Sequence, residues 1–134
     1  MSTILVNTLT GTTTAGSIAV TGETSSTTTN LQQGLAKHFC IFDGTGTVAV
    51  DESFNNASLT DNGVGQYAVT FTNAFKNLHF ALTGATVGCD EAFTFIGTDA
   101  AVKTASGTQL RSVGHDGAEF DTDTVDIVSH GDLA

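Results

Sequence analysis

"FDGTGTVAVDESFNNASLTDNGVGQYAVTFTNAF", residues 42–75, decides the fold class. Apolar residues alternate with polar ones in short runs, and Gly, Asn or Asp interrupts each run. In an extended chain, alternation puts every second side chain on one face. Val48 and Val50 therefore share a face, and so do Tyr67, Val69 and Phe71, with Ala68, Thr70 and Thr72 opposite. Asn62-Gly63 is the pair that primed hairpin turns prefer, which predicts a turn just before Tyr67. The stretch holds strands and turns and almost no reactive chemistry.

The same pattern continues on both sides. "HFCIF" (38–42) precedes it, and "NLHFALTGA" (77–85) follows, setting Leu78, Phe80 and Leu82 opposite His79, Ala81 and Thr83. "EAFTFIG" (91–97), "TQLRSVG" (108–114) and "TVDIVSHG" (124–131) are shorter strand candidates. About seven strands at intervals near ten residues predict an all-β fold, an antiparallel β-sandwich over residues 39–134. Its expected core is Val48, Val50, Val69, Phe71, Phe80, Leu82, Phe93, Phe95 and Ile127. Composition agrees: 24 Thr favour strands, 15 Gly mark turns, and Pro and Trp are absent.

Residues 1–38 read differently, as an attachment and oligomerisation segment. "STILVNTLTGTTTAGSIAVTG" (2–22) contains two β-like runs, Ile4–Leu9 and Ser17–Thr21, around a Gly/Thr turn. A two-stranded ribbon of this kind is marginal alone. "ETSSTTTN" (23–30) reads as a linker. In "TNLQQGLAKHF" (29–39), Thr29 or Asn30 can cap a short helix, and Leu31, Leu35 and Phe39 recur at a spacing of four. Gly34 weakens that helix by about 1 kcal/mol relative to Ala. Two helical turns do not persist unaided. The stripe is therefore expected either to meet its counterparts in a homotrimer, with Leu31, Leu35 and Phe39 as the contact, or to pack on its own sandwich.

Length and charge bound the function. A chain of 134 residues is about one domain. Only 13 % of it is charged, against roughly a quarter in an average soluble domain. Lys37, Lys76, Lys103 and Arg111 face fourteen acids, for a net charge of −10, and six of those acids fall within residues 116–134. Scattered cations on an acidic chain argue against nucleic-acid binding and against anionic membranes. No apolar run approaches the roughly 20 residues of a membrane span. The acidity reads as solubility in a salty medium, and the sparse charge also suits a surface partly hidden in an oligomer. "MSTILVNTL" has no basic n-region, so synthesis in a cytoplasm without signal-peptide export is expected.

Candidate chemistry is thin. Cys40 and Cys89 are too few and too far apart for a zinc site and read as small buried hydrophobes. His38, His79, His115 and His130 never fall into a metal-binding spacing. The acids of "DGAEFDTDTVD" (116–126) lack the glycine position and closing bidentate Glu of a calcium loop, and read as solvated, with Asp126 on the outer face of the last strand. No serine sits in a G-x-S-x-G elbow. No catalytic residue, cofactor or metal ligand is assigned.

A family resemblance rests on "GLAK" (34–37), "FDGTGTVAV" (42–50), "SFN" (53–55), "SLTDNG" (58–63) and "YAVTFT" (67–72). In this order the pieces resemble the repeated signature of short tail-fibre-like structural proteins of marine bacteriophages. "STILVNTLTG" (2–11) is similar to the lead-in of that family, and "IVSHGDLA" (127–134) to its final strand and tail. The chain departs from it at His38-Phe39-Cys40, where an aromatic stretch with Trp is usual, at Asp51-Glu52, and throughout 84–120. The resemblance implies a virion component, a β-rich fold and trimers, with no catalytic residue. Three functions are expected in order: a fibre or fibre-tip protein touching host surface glycans or proteins, a capsid decoration or head-fibre protein, and a virion glycan depolymerase.

Overall fold

The computed structural model describes residues 4–11, 18–21, 28–88, 94–98 and 103–134, with 32, 33 and 94–98 described by backbone alone. The chain divides into two units, Met1–Leu35 and Ala36–Ala134.

In the first unit, β1 (Ala19–Thr21) pairs antiparallel with β2 (Thr28–Asn30). Residues 28–30, expected as linker, are therefore strand. A single turn of helix, α1 (Leu31–Gly34), follows directly, and the Leu31 N–H donates to the Ile18 carbonyl at 2.7 Å. The turn stops at Gly34, where a residue without a side chain favours exit from a helix. Leu35 lies beyond it and Phe39 is already on a strand, so the three residues do not form one helical stripe. The run Ile4–Leu9 has no regular structure and leaves Ile4, Leu5, Val6 and Leu9 exposed.

The second unit contains β3 (His38–Asp43), β4 (Ala49–Phe54), β5 (Asn56–Gly63), β6 (Gln66–Phe71), β7 (Ala81–Val87), β8 (Thr94–Thr98), β9 (Gly107–Gly114) and β10 (Thr124–His130). They form two antiparallel sheets in the orders β4-β3-β10-β7 and β5-β6-β9-β8. The fold is thus all-β and sandwich-like. Alternation explains the facing: His38, Cys40 and Phe42 of β3 point inward with Val125, Ile127 and Ser129 of β10. They meet Tyr67, Val69 and Phe71 of β6 and Thr108, Leu110 and Ser112 of β9. Rings join the two sheets, with Phe42 edge-on to Tyr67 at 5.0 Å and His38 edge-on to Phe71 at 4.7 Å. Phe75 and Phe80 close one end, with centroids 5.1 and 5.5 Å from Phe71.

Of the expected core, Val69, Phe71, Phe80 and Ile127 are buried, and Val48 and Leu82 are partly so. Val50 is not: it is 42 % exposed. The pairing slips between Ile41 and Phe42, and β4 is an edge strand with every residue exposed, so alternation there has no second sheet to face. Phe93 and the side chain of Phe95 lie outside the described residues.

Two local features set the topology. β4 passes to β5, and so from one sheet to the other, through Asn55 alone. Asn55 has φ of 58°, a left-handed conformation that Asn tolerates better than most residues. Its side chain ties the corner, donating to the carbonyls of Lys37 (2.9 Å) and Asn73 (3.0 Å) and accepting from the Asn73 N–H (2.7 Å). The second feature is the β5–β6 hairpin. Its centre is Val64-Gly65, not Asn62-Gly63, because Gly63 pairs with Gln66 and a bulge absorbs the extra residue. Gly65 has φ of +65°, and a Cβ there would lie 2.7 Å from both the Ser112 carbonyl oxygen and the Phe120 nitrogen. Only glycine fits that approach.

Candidate interaction surface

Three places among the described residues bring together groups that could bind or react. The first is internal. Ser129 Oγ lies 3.4 Å from His38 Nδ1, and His38 Nε2 lies 3.4 Å from Asn56 Oδ1. A serine, a histidine and an amide in series have the composition of a nucleophile relay. Here the histidine and serine are fully buried, and the ring is packed against Phe71. A substrate has no approach to Ser129. Burial holds the His38 pKa below its ordinary value, with the Asn56 hydrogen bond pulling the other way. The group is a neutral link between the sheets.

The second place is the end of the β6–β9 ladder. Tyr67 is fully buried, with its hydroxyl 3.1 Å from the Gly44 carbonyl and 3.0 Å from Asp121 Oδ1. Desolvation, then the Asp121 carboxylate, pushes the phenol pKa far up. The Gly65 N–H donates to the same carboxylate oxygen at 2.8 Å. Nearby, Glu119 accepts from Gln66 Nε2 at 2.6 Å and from Arg111; the Gln66 hydrogen bond first, then Arg111, holds its carboxyl below the usual range. These contacts fasten residues 119–121 to the sheet.

The third place is a surface. Outward residues of β3 and β10 match in register with those of β4 and β7. One row runs Phe54, Phe39, Val128, Thr83, and the next runs Glu52, Ile41, Asp126, Ala85. Phe39 and Phe54 stack with centroids 6.3 Å apart, although Phe54 is 52 % exposed. The small residues Thr83, Gly84 and Ala85 on β7 stand lower than Phe39, Ile41 and Val128, and a depression of about 420 Å³ results. Its lining is mostly apolar, with one carboxylate, Asp126. A half-exposed aromatic pair beside an apolar hollow is suited to binding.

The residues expected as oligomer contacts fall on different elements. Leu31 is half-buried on α1, Leu35 is 52 % exposed after it, and Phe39 belongs to the outer face of β3. Cys40 is a buried free thiol whose pKa burial pushes up to about 11, while Cys89 lies outside the described residues. No group of three His, Cys, Asp or Glu able to hold a metal occurs among the described residues, and no helix among them is long and apolar enough to cross a membrane. Sequence reading missed the sheet face because β4 and β7 supply half of it, and neither strand's register is visible in one dimension. The weak signal was the outward alternation of Phe39 and Ile41 with the inward His38, Cys40 and Phe42. No protein-family model matches this chain, and neither a curated protein nor a solved structure shows significant similarity to it.

Proposed function

We propose that this chain is a structural protein of a bacteriophage virion, of the tail-fibre or fibre-tip type, that touches host surface glycans or proteins and catalyses no reaction. The reading is carried by the ordered signature "FDGTGTVAV…SFN…SLTDNG…YAVTFT". Several of its residues set the fold: Phe42, Tyr67, Val69 and Phe71 are core, and Asn55 is the corner between sheets. Such residues support a shared architecture more directly than a shared task. A rigid β body whose polar clusters serve packing is consistent with adhesive or structural work.

On this reading the protein is made in the host cytoplasm, assembles as a homotrimer and joins other virion proteins. The exposed Ile4, Leu5, Val6, Leu9, Val20 and Leu35 favour association. Burying each such side chain contributes roughly 1.5–3 kcal/mol, and Leu31, Leu35 and Phe39 are the proposed contact. Light scattering on the wild-type chain and on Leu31→Asp/Leu35→Asp tests the trimer; a single-chain mass for the wild type refutes it. Immunogold labelling of purified particles tests the role. Label at the tail tip supports a fibre, label over the head supports capsid decoration, and unlabelled particles refute both. Reducing-sugar release from host polysaccharide would mean a depolymerase instead.

A further inference from the structure

We propose that the outer face of the β4-β3-β10-β7 sheet docks a basic polypeptide segment that places an apolar group between two cations. The inference stands on this face alone and does not need the virion reading; because Phe39 borders the face, a docked peptide and a trimer contact at Phe39 exclude each other.

Glu52 and Asp126 flank Ile41 in one cross-strand row, on strands two places apart in the sheet. Their Cα atoms are thus about 10 Å apart, two strand spacings of roughly 4.8 Å. Neither carboxylate has a hydrogen bond or an ion pair among the described residues. Three of the chain's four cations are engaged or buried elsewhere. Arg111 is engaged by Glu119, Lys103 donates to the Phe80 carbonyl and lies over its ring, and Lys37 is buried. Between the carboxylates stands Ile41, and beside it are the Phe39–Phe54 stack and the hollow over Ala85. The face therefore asks for a cation, an apolar group and a second cation.

Other occupants fit less well. A second copy, face to face, would bring four carboxylates together on two chains of net charge −10 each. Like charges opposed across an interface cost affinity. A neutral glycan presents donors and acceptors in similar number, yet Thr83 is the one lining side chain able to donate a hydrogen bond. Carboxylates accept only. Lysine or arginine supplies donors alone and matches them.

The test uses the full-length protein and three fluorescent peptides of equal length, with the cores Lys-Ser-Leu-Ser-Lys, Lys-Ser-Ser-Ser-Lys and Glu-Ser-Leu-Ser-Glu. In an extended peptide the first, third and fifth side chains share a face and the end positions span about 13 Å, which the flexible lysine stems adapt to the carboxylate spacing. Anisotropy titrations should show the Lys-Ser-Leu-Ser-Lys peptide binding about tenfold more tightly than either other peptide. Glu52→Gln/Asp126→Asn should weaken it by about tenfold. Ala85→Arg, which fills the hollow and adds a like charge, should abolish it. Asp116→Asn/Asp123→Asn removes as much charge from elsewhere and should change nothing. The proposal fails if this control weakens binding equally, or if the serine peptide binds as well as the leucine peptide. It also fails if no binding is seen at roughly 1 mM peptide, or if a neutral oligosaccharide binds in preference and its binding is lost in Ala85→Arg.

Discussion

Phe71→Ala is the substitution that most directly probes the packing of the two sheets. Phe71 projects from β6 into the core and is 6 % exposed. Its ring meets His38 at 4.7 Å, Phe75 at 5.1 Å and Phe80 at 5.5 Å. Emptying a buried Phe site costs about 3–5 kcal/mol. The three neighbouring rings place this site toward the upper end, since aromatic pairs add about 0.5–1.5 kcal/mol beyond burial. A unit of about 100 residues has roughly 5–15 kcal/mol of stability in all. At about 4–8 °C per kcal/mol, a loss of about 4–5 kcal/mol should lower the melting point by some 16–40 °C. Tyr67 is the one tyrosine, there is no tryptophan, and Tyr67 lies in the same core, so its fluorescence reports this unit alone. Urea titration followed by that signal gives the loss. Val50→Ala, on the exposed edge strand, should cost no more than about 0.5 kcal/mol. A Phe71→Ala loss below about 1.5 kcal/mol, or one equal to that of Val50→Ala, would refute the packing described.

Three further outcomes follow from named groups. Because burial lowers the folded pKa of His38 below its unfolded value of 6.5, the unfolded chain takes up that proton first. Its contribution is present above 6.5 and is lost as pH falls from there toward the folded value, so the urea midpoint should drop as pH is taken below about 6.5 and drop less in His38→Gln. At the corner, Asn55→Ala should destabilise more than Asn55→Gly by about 1 kcal/mol, because both lose the side-chain bonds but only alanine is strained at φ of 58°; equal losses in denaturant titration would contradict this. Ser112 Oγ is fully buried without a hydrogen-bond partner among the described residues. Ser112→Ala should therefore be neutral or stabilising by up to about 1 kcal/mol, and a clear loss of melting temperature would reveal a partner for the hydroxyl.

The all-β class and most of the strands were legible in one dimension, because a side-chain period of two is a property of the extended backbone itself. "HFCIF" and "QYAVTF" show it plainly, and both strands bury the faces their alternation marks. Where a strand meets no second sheet, the same pattern misleads. Val50 alternates like a core residue but lies on an edge past a bulge. β5, "NASLTDNG", has too little apolar content to read as a strand, and it exists because β6 supplies its hydrogen bonds. The hairpin was foreseeable and its centre was not, since Gly65 is selected by the backbone of Ser112 and Phe120, about fifty residues further along the chain. The outer face belongs to tertiary structure in the same way. Asp126 was legible as outward-facing, but its place in a row with Glu52 and Ile41 depends on the pairings β3–β4 and β3–β10. Local alternation is dictated by neighbouring residues along the chain. Register, corners and shared faces are settled only when distant backbone groups satisfy one another's hydrogen bonds.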